Sequence, residues 1–348
     1  MHGDFDSFLE NYPHPGANIG VYHKGFWHSY SRGILDDRDI LTSPQTYYDL
    51  ASLTKTFTAT TILTLQHKGK LNINDVAQDY LPFLSGFNNI HDKPLQIRDL
   101  MTHQSGLQLR GKSGTVYDKH NHYTKDQIEN IFYDKNNLVQ IDPPTNISTK
   151  YACINYIFLG RILEVITKLN LDQVICQMLK DTMIEEIMFN PLIHSVSIDQ
   201  IAKTELININ GEATQIGIVQ DEKARDFGGV CGNAGLFGTL NGLRLWAEAW
   251  LKNTFEFDET IYYSAFCFNN SSMELSPKFG TVWRNGTINI SPNMSGFSGC
   301  TIMLDPRDQT AIVITQNSTF LTRPHQNERL KWSKELTEKV KTQVFMRI

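Results

Sequence analysis

The chain has 348 residues, 41% of them apolar, so it holds one or two folded domains and is too apolar to be disordered. Lys and Arg number 32 and Asp and Glu 37, a net charge of −5, and with no basic block this argues against nucleic acid as the main partner. No apolar run reaches the roughly 18–20 residues of a membrane span, and Met1-His2-Gly3-Asp4-Phe5-Asp6 carries acid where a signal peptide needs base, so a cytoplasmic protein without a membrane partner is expected.

Ala17 to Tyr22 and the alternating Phe26 to Ser31 flank Lys24-Gly25 and predict a β-hairpin. Ser52 to Lys68 predicts a helix ended by Gly69, and further helices are predicted at Asp126 to Phe132, Ile154 to Leu169, Leu171 to Leu179 and Leu240 to Leu251. Arg110 to Lys125, rich in Lys, Asn, His and Tyr, predicts a mobile loop. Phe279 to Trp283 and Thr287 to Ile290 flank Asn285-Gly286, a hairpin signal. Thr301 to Leu304 and Ala311 to Thr315 predict two strands joined by the turn-forming Asp305-Pro306-Arg307-Asp308-Gln309. Leu336, Val340 and Val344 recur at helical spacing within 328–345 and predict a terminal helix over the sheet.

Strands at both chain ends with helices between them predict a discontinuous arrangement. Residues 1–50 and 240–348 would form an α/β sheet domain and 51–239 a mainly helical one, with the active site at the interface. The five cysteines, Cys153, Cys176, Cys231, Cys267 and Cys300, are odd in number and widely spaced without a C-x-x-C pair, which argues against a disulfide framework or a zinc site. His120 and His122 lack an evident third ligand, so no metal is expected there. No cofactor is implied: Gly228-Gly229-Val230-Cys231-Gly232 lacks the Lys-Ser/Thr ending of a phosphate loop.

Ser52-Leu53-Thr54-Lys55 is an S-x-x-K. In a helix, positions i and i+3 share a face, so hydroxyl and amine can meet, and the amine can serve as base if it is kept neutral. Chance supplies roughly one such tetrapeptide in a chain this long, and alone it is equally an N-cap serine and a solvated lysine. Its surroundings favour chemistry. Six threonines lie between Thr54 and Thr64, a run of poor helix propensity, so a helix here must be enforced by burial, and a lysine at its start needs a reason.

Asp49-Leu50-Ala51-Ser52-Leu53-Thr54-Lys55 resembles the nucleophile motif of the serine β-lactamase and penicillin-binding-protein superfamily, in particular the branch of class C β-lactamases and related esterases. Leu71 to Val76 and Tyr80 to Phe83 resemble the segment that follows. Leu100-Met101-Thr102-His103-Gln104-Ser105-Gly106-Leu107 is similar to the "L-L-T-H-x-S-G-L" stretch, and Tyr151-Ala152-Cys153 with Asn155-Tyr156 to the tyrosine motif. Gly228 to Phe237 resembles a glycine-rich segment of the branch, and Met294-Ser295-Gly296 occupies the third motif. The matches run in family order from about Pro15 to Asn317. The resemblance implies an α+β, β-lactamase/transpeptidase-like fold, with an antiparallel sheet flanked by helices and a helical insertion domain.

It also implies acyl transfer through a covalent ester. Ser52 would be the nucleophile, Lys55 and Tyr151 would share the base and acid roles, and the Ser52 and Phe297 amides would form the oxyanion hole. Cys153, Met294, Ser295 and Gly296 would meet the substrate. His103 lies in a structural stretch of the family and is expected to be a buried, satisfied histidine. Two departures matter. Met294 stands where the third motif has Lys or His, which removes a cation, and Cys153 stands where the second has Asn or Asp, which removes an amide or carboxylate. Both argue against efficient recognition of β-lactams or acyl-D-Ala-D-Ala. Three readings follow: a serine hydrolase acting on a small ester or amide, a β-lactamase or D-Ala-D-Ala carboxypeptidase, and a non-catalytic binding protein on the same fold.

Overall fold

The computed structural model describes residues 16–23, 25–89, 91–110, 116–119, 121–141, 151–205, 207–209, 212–214, 216–266, 280–285, 292–320 and 335. The strands are β1 (Gly16–His23), β2 (Phe26–Gly33), β3 (Tyr48–Asp49), β4 (Leu107–Leu109), β5 (Leu138–Gln140), β6 (Ile187–Phe189), β7 (Ile207–Ile209), β8 (Glu212–Thr214), β9 (Leu236–Gly238), β10 (Arg284–Asn285), β11 (Pro292–Ser295), β12 (Thr301–Asp305) and β13 (Thr310–Gln316). The α-helices are α1 (Thr54–His67), α2 (Ile97–Met101), α3 (Lys125–Phe132), α4 (Cys153–Thr167), α5 (Leu171–Asp181), α6 (Glu222–Asp226), α7 (Leu240–Leu251) and α8 (Glu259–Phe266).

The main sheet has the order β10-β11-β12-β13-β1-β2, antiparallel throughout. The two chain ends meet inside it, with Ala17 opposite Gln316 and Tyr22 opposite Ala311. The first hairpin closes with His23 opposite Phe26, as the Lys24-Gly25 turn predicts. On β1, Ile19, Val21 and Tyr22 are buried, and α7 lies against the sheet with Trp246 and Trp250 fully enclosed. The Thr239 hydroxyl caps α7 by accepting from the Gly242 amide. From α7 the Trp246 ring stacks on Phe57 of α1, with centroids 4.1 Å apart, so one aromatic contact joins the sheet layer to the helical layer.

The predicted strand at Phe279 to Trp283 is a correction. Phe279 lies outside the described residues, and Gly280 to Trp283 form no strand. The Thr281 and Trp283 amides donate to the carbonyls of Ser264 and Ala265 in α8, and the Trp283 indole is buried edge-on to Trp250, 5.8 Å between centroids. Burial of the indole beside α8 outweighs strand pairing there. The edge strand is instead β10, with Asn285 opposite Pro292; the predicted turn at Gly286 and the run Thr287 to Ile290 lie outside the described residues, as does Cys267. Of the predicted terminal helix over 328–345 only Glu335, helical, is described. Of the predicted loop Arg110 to Lys125, residues 111–115 and 120 lie outside. Tyr117 within it is tied down, donating to Asp226 Oδ2 at 3.0 Å.

The helix predicted from Ser52 begins later than expected. Ala51–Leu53 is a single 3₁₀ turn, and α1 follows from Thr54 without a side-chain cap. Ten consecutive residues of α1, Thr54 to Leu63, are buried. The threonine hydroxyls are satisfied within the helix: Thr60 donates to the Thr56 carbonyl at 2.7 Å, Thr61 to Phe57 at 2.8 Å and Thr64 to Thr60 at 2.9 Å. These back-bonds let β-branched polar residues fill a buried helix that propensity alone disfavours. Gly69, at φ +65, ends the run.

Candidate active site

Ser52 sits on the 3₁₀ turn between β3 and α1, and the backbone just before it is left-handed: Ala51 has φ +46. The Lys55 side chain is 1% exposed, and its Nζ donates to Ser52 Oγ at 2.9 Å and to the Asn233 carbonyl at 2.8 Å. Tyr151, one residue before the cap of α4, donates from Oη to Ser52 Oγ at 2.8 Å. Ser52, Lys55 and Tyr151 are thus brought together, although 99 residues separate the serine from the tyrosine.

Burial pulls the Lys55 ammonium down, while Cys153 and Tyr151, once anionic, pull it up. The net direction is upward while those two groups are anionic. Lys55 Nζ lies 5.1 Å from the centre of the Tyr151 ring and 5.9 Å from that of Tyr156.

His103, at φ +56 and 2% exposed, packs its ring 4.6 Å from that of Tyr151. Its Nδ1 accepts from the Ala152 amide at 3.3 Å, and burial, reinforced by the Lys55 charge, holds it down to about 3. A neutral ring that braces Tyr151 from behind is the result. Next to it, Asn155 is buried and its Oδ1 accepts from Ser105 at 2.6 Å, joining the T-H-Q-S stretch to α4.

The glycine-rich segment supplies the opposite wall through its backbone. Besides Asn233 and Lys55, the Gly232 carbonyl accepts from the Thr58 hydroxyl at 2.9 Å, and Leu236 pairs with Leu50. A Cβ at Gly232 would overlap the Tyr156 carbonyl oxygen, and one at Gly160 would press on the Gly232 backbone. Helix α4 therefore crosses this segment at backbone distance. Gly232→Ala is expected to cost on the order of 3 kcal/mol of stability through overpacking, read as a lowered urea midpoint; an unchanged midpoint would mean that the crossing yields freely. Asn233 had no sequence signal, because a carbonyl role leaves none in the side chain.

From the sheet, β11 reaches the serine turn. A Cβ on Gly296 would overlap the Leu50 carbonyl oxygen, so only glycine lets the end of the strand lie against that turn. Phe297 follows it, half-buried, and Ser298 donates to the Asp49 carbonyl at 2.6 Å. Ser295 is half-buried and accepts from the Thr301 hydroxyl at 3.1 Å. Met294 is 5% exposed and belongs to the main apolar core, opposite Ile302. It therefore offers thioether and no charge. Cys153 opens α4 as a half-buried free cysteine. Among the described residues no group of three or more His, Cys, Asp or Glu could hold a metal, and no helix is long and apolar enough to cross a membrane.

Sequence reasoning quoted Asp49 only as part of a motif. Its carboxylate is 1% exposed and accepts from the Ala51 amide at 2.8 Å and the Gln220 amide at 2.7 Å. The available signal was an Asp two residues before a backbone turn, the pattern of an Asx turn.

A family model described as Beta-lactamase matches residues 4–334. A protein of Salmonella agona (strain SL483) named "Putative D-alanyl-D-alanine carboxypeptidase" is 28% identical over 340 residues, covering 86% of this chain and 75% of that protein. Among solved structures, the octameric penicillin-binding protein homologue from Pyrococcus abyssi superposes with a TM-score of 0.71 at 16% identity, over 92% of this chain and 74% of that one. The D-amino acid amidase from Ochrobactrum anthropi SV3 superposes with 0.70 at 15% identity, over 97% of this chain and 100% of that one.

Proposed function

We infer that this chain, which belongs to the Beta-lactamase family, is a serine hydrolase that works through a covalent acyl-enzyme on a small ester or amide. The observation that carries this reading is that Ser52 Oγ receives both the Lys55 ammonium and the Tyr151 hydroxyl within 2.9 Å. The Lys55 and Tyr151 side chains share one proton fewer than their full complement, and with that proton held on the amine Tyr151 reverses its hydrogen bond and takes the Ser52 proton. Oγ then bonds to the substrate carbonyl carbon, and the carbonyl π pair moves onto oxygen. The Ser52 and Phe297 amides receive that oxyanion, and Lys55 stabilises charge on Oγ and Tyr151 as the proton moves. Collapse of the tetrahedral adduct expels the alcohol or amine, which takes the proton from Tyr151. Water, deprotonated by the same tyrosine, then releases the acid and restores Ser52. A serine-reactive fluorophosphonate tests the reading: labelling at Ser52 is expected, and an unlabelled protein would point to the non-catalytic alternative.

The relative's name raises a second reading, carboxypeptidase action on D-Ala-D-Ala. Met294 and Cys153 oppose it, because the buried thioether and the thiol supply neither a cation for the substrate carboxylate nor an amide for its peptide. Hydrogen bonds to charged groups contribute roughly 1.5–3 kcal/mol, so kcat/KM for a short neutral p-nitrophenyl ester is expected to exceed that for nitrocefin or an acyl-D-Ala-D-Ala peptide by at least about tenfold. Parallel assays at one pH decide it. A reversed order would establish that a different group provides the missing charge.

A further inference from the structure

We propose that Asp49 is a positioning residue whose ionised carboxylate holds the Ala51–Ser52 turn in its reactive shape, so that a group outside the Ser52, Lys55 and Tyr151 set gates acylation with pH. This rests on the serine-hydrolase reading above and extends it to how the nucleophile is held.

The argument begins with backbone. Ala51 is held at φ +46, a left-handed conformation costly for a residue with a Cβ. That conformation sits directly before Ser52 and must be enforced by its neighbours. Asp49 Oδ1 takes the Ala51 amide at 2.8 Å, and Oδ2 takes the Gln220 amide at 2.7 Å. One carboxylate thus ties the serine turn to the segment that leads into α6. The backbone of the same residue is held from the other side, where the Asp49 carbonyl accepts from Ser298 Oγ at 2.6 Å and lies 3.6 Å from Cys300 Sγ. Gly296 abuts the next carbonyl, that of Leu50. Asp49 is therefore where the serine turn, the third motif and the Gln220 segment are joined, and its side chain is 1% exposed.

Both carboxylate oxygens accept an amide only while the group is ionised. A proton on one of them turns that oxygen from acceptor to donor and releases one of the two backbone grips. Burial, followed by the like charges of Asp221 and Glu205, pushes the Asp49 carboxyl up to about 6, against the downward pull of the Gln220 and Ala51 amides. Among the described residues, the charged and titratable groups that act on it are those two carboxylates and the Cys300 thiol, itself pushed up to about 12 by burial. His103, held down to about 3, does not titrate in the same range. The carboxylate form, and with it the two-amide grip, gains population as pH rises through about 6.

The test measures the pH dependence, from 4.5 to 8, of the rate at which a fluorophosphonate labels Ser52 and of kcat and KM for a neutral p-nitrophenyl ester. It compares the full-length wild type with Asp49→Asn and Asp49→Glu, with melting curves to certify folding. The wild type is expected to show an ascending limb centred near pH 6. Asp49→Asn offers one acceptor instead of two and cannot ionise. It should lose the limb and lower the plateau of kcat by about ten- to a hundredfold, with KM changed by less than about threefold, the signature of a misplaced nucleophile. Asp49→Glu should retain a limb at a displaced midpoint. A folded Asp49→Asn that keeps the wild-type limb and plateau overturns the inference. So does a wild type that labels at Ser52 without any limb between pH 5 and 7, a result that needs no variant to fold. A wild type that never labels at Ser52 overturns the serine-hydrolase reading and this inference with it, a distinct outcome from labelling that ignores Asp49.

Discussion

Ser52→Ala is expected to abolish ester hydrolysis, lowering kcat/KM on the order of 10³–10⁶-fold, with the fold retained. The size follows from coupling. Ser52 Oγ is the shared acceptor of Lys55 Nζ and Tyr151 Oη, so its removal deletes the bond-forming atom and strands both partners at once. Little stability should be lost. Lys55 keeps the Asn233 carbonyl, Tyr151 is 41% exposed and can turn to water, and the Ser52 turn is held by the Asp49 carboxylate rather than by the serine hydroxyl. Parallel measurement of kcat/KM and of the urea midpoint separates catalysis from folding. A variant with near wild-type turnover would remove Ser52, and with it the acyl-enzyme route.

The parts of the fold legible in the sequence are those where turn chemistry and side-chain periodicity agree. Helix α7 occupies Leu240–Leu251, the predicted range, because an apolar stripe for the sheet follows a capping threonine. Strands β12 and β13 flank the predicted turn, with Asp305 opposite Thr310. The Trp283 segment misled because the β-branched and aromatic run Thr281-Val282-Trp283 just before Asn285-Gly286 reads as strand, while its actual partners, Phe266 and Trp250, are distant in the chain and leave no local trace. Strands of two or three residues such as β3, β6 and β9 carry too little pattern to be seen. At the site, Ser52, Lys55 and Tyr151 were legible through motif order. The burial of Met294 and the carbonyl of Asn233 were not, since the first depends on how β11 packs and the second on backbone alone. Ser52 in a 3₁₀ turn, rather than in the first turn of α1, was also invisible. It reflects the left-handed Ala51, which no residue type announces.

Replacement of Lys55 should be nearly as severe as loss of the serine, and it distinguishes two roles for the amine. Lys55→Met is expected to slow acylation of Ser52 on the order of 10³–10⁵-fold, because the positive charge that favours an oxyanion on Oγ and on Tyr151 disappears from a position that is itself buried. Lys55→Arg retains the charge but puts a planar, branched guanidinium into a slot shaped for one Nζ between Ser52 Oγ and the Asn233 carbonyl, with the Tyr151 and Tyr156 rings alongside. It should therefore fall by at least about a hundredfold for reasons of fit. The pH dependence carries the sign. The Lys55 ammonium is favoured in the folded state, which places loss of its proton above the ordinary lysine range of about 10.4. Any stability this group contributes is accordingly present below that range and is lost only as the pH rises beyond it. An amine acting as base would give an acylation rate that climbs as Lys55 deprotonates. An ammonium acting as a fixed charge gives no limb from Lys55 at any pH between 5 and 9. Single-turnover labelling of Ser52 across that range in the wild type, in Lys55→Met and in Asp49→Asn therefore assigns each limb. The limb centred near 6 should disappear with Asp49 and persist, at reduced rate, in Lys55→Met. A wild-type limb in that range that vanished in Lys55→Met and survived in Asp49→Asn would instead make the lysine the group that gives up its proton.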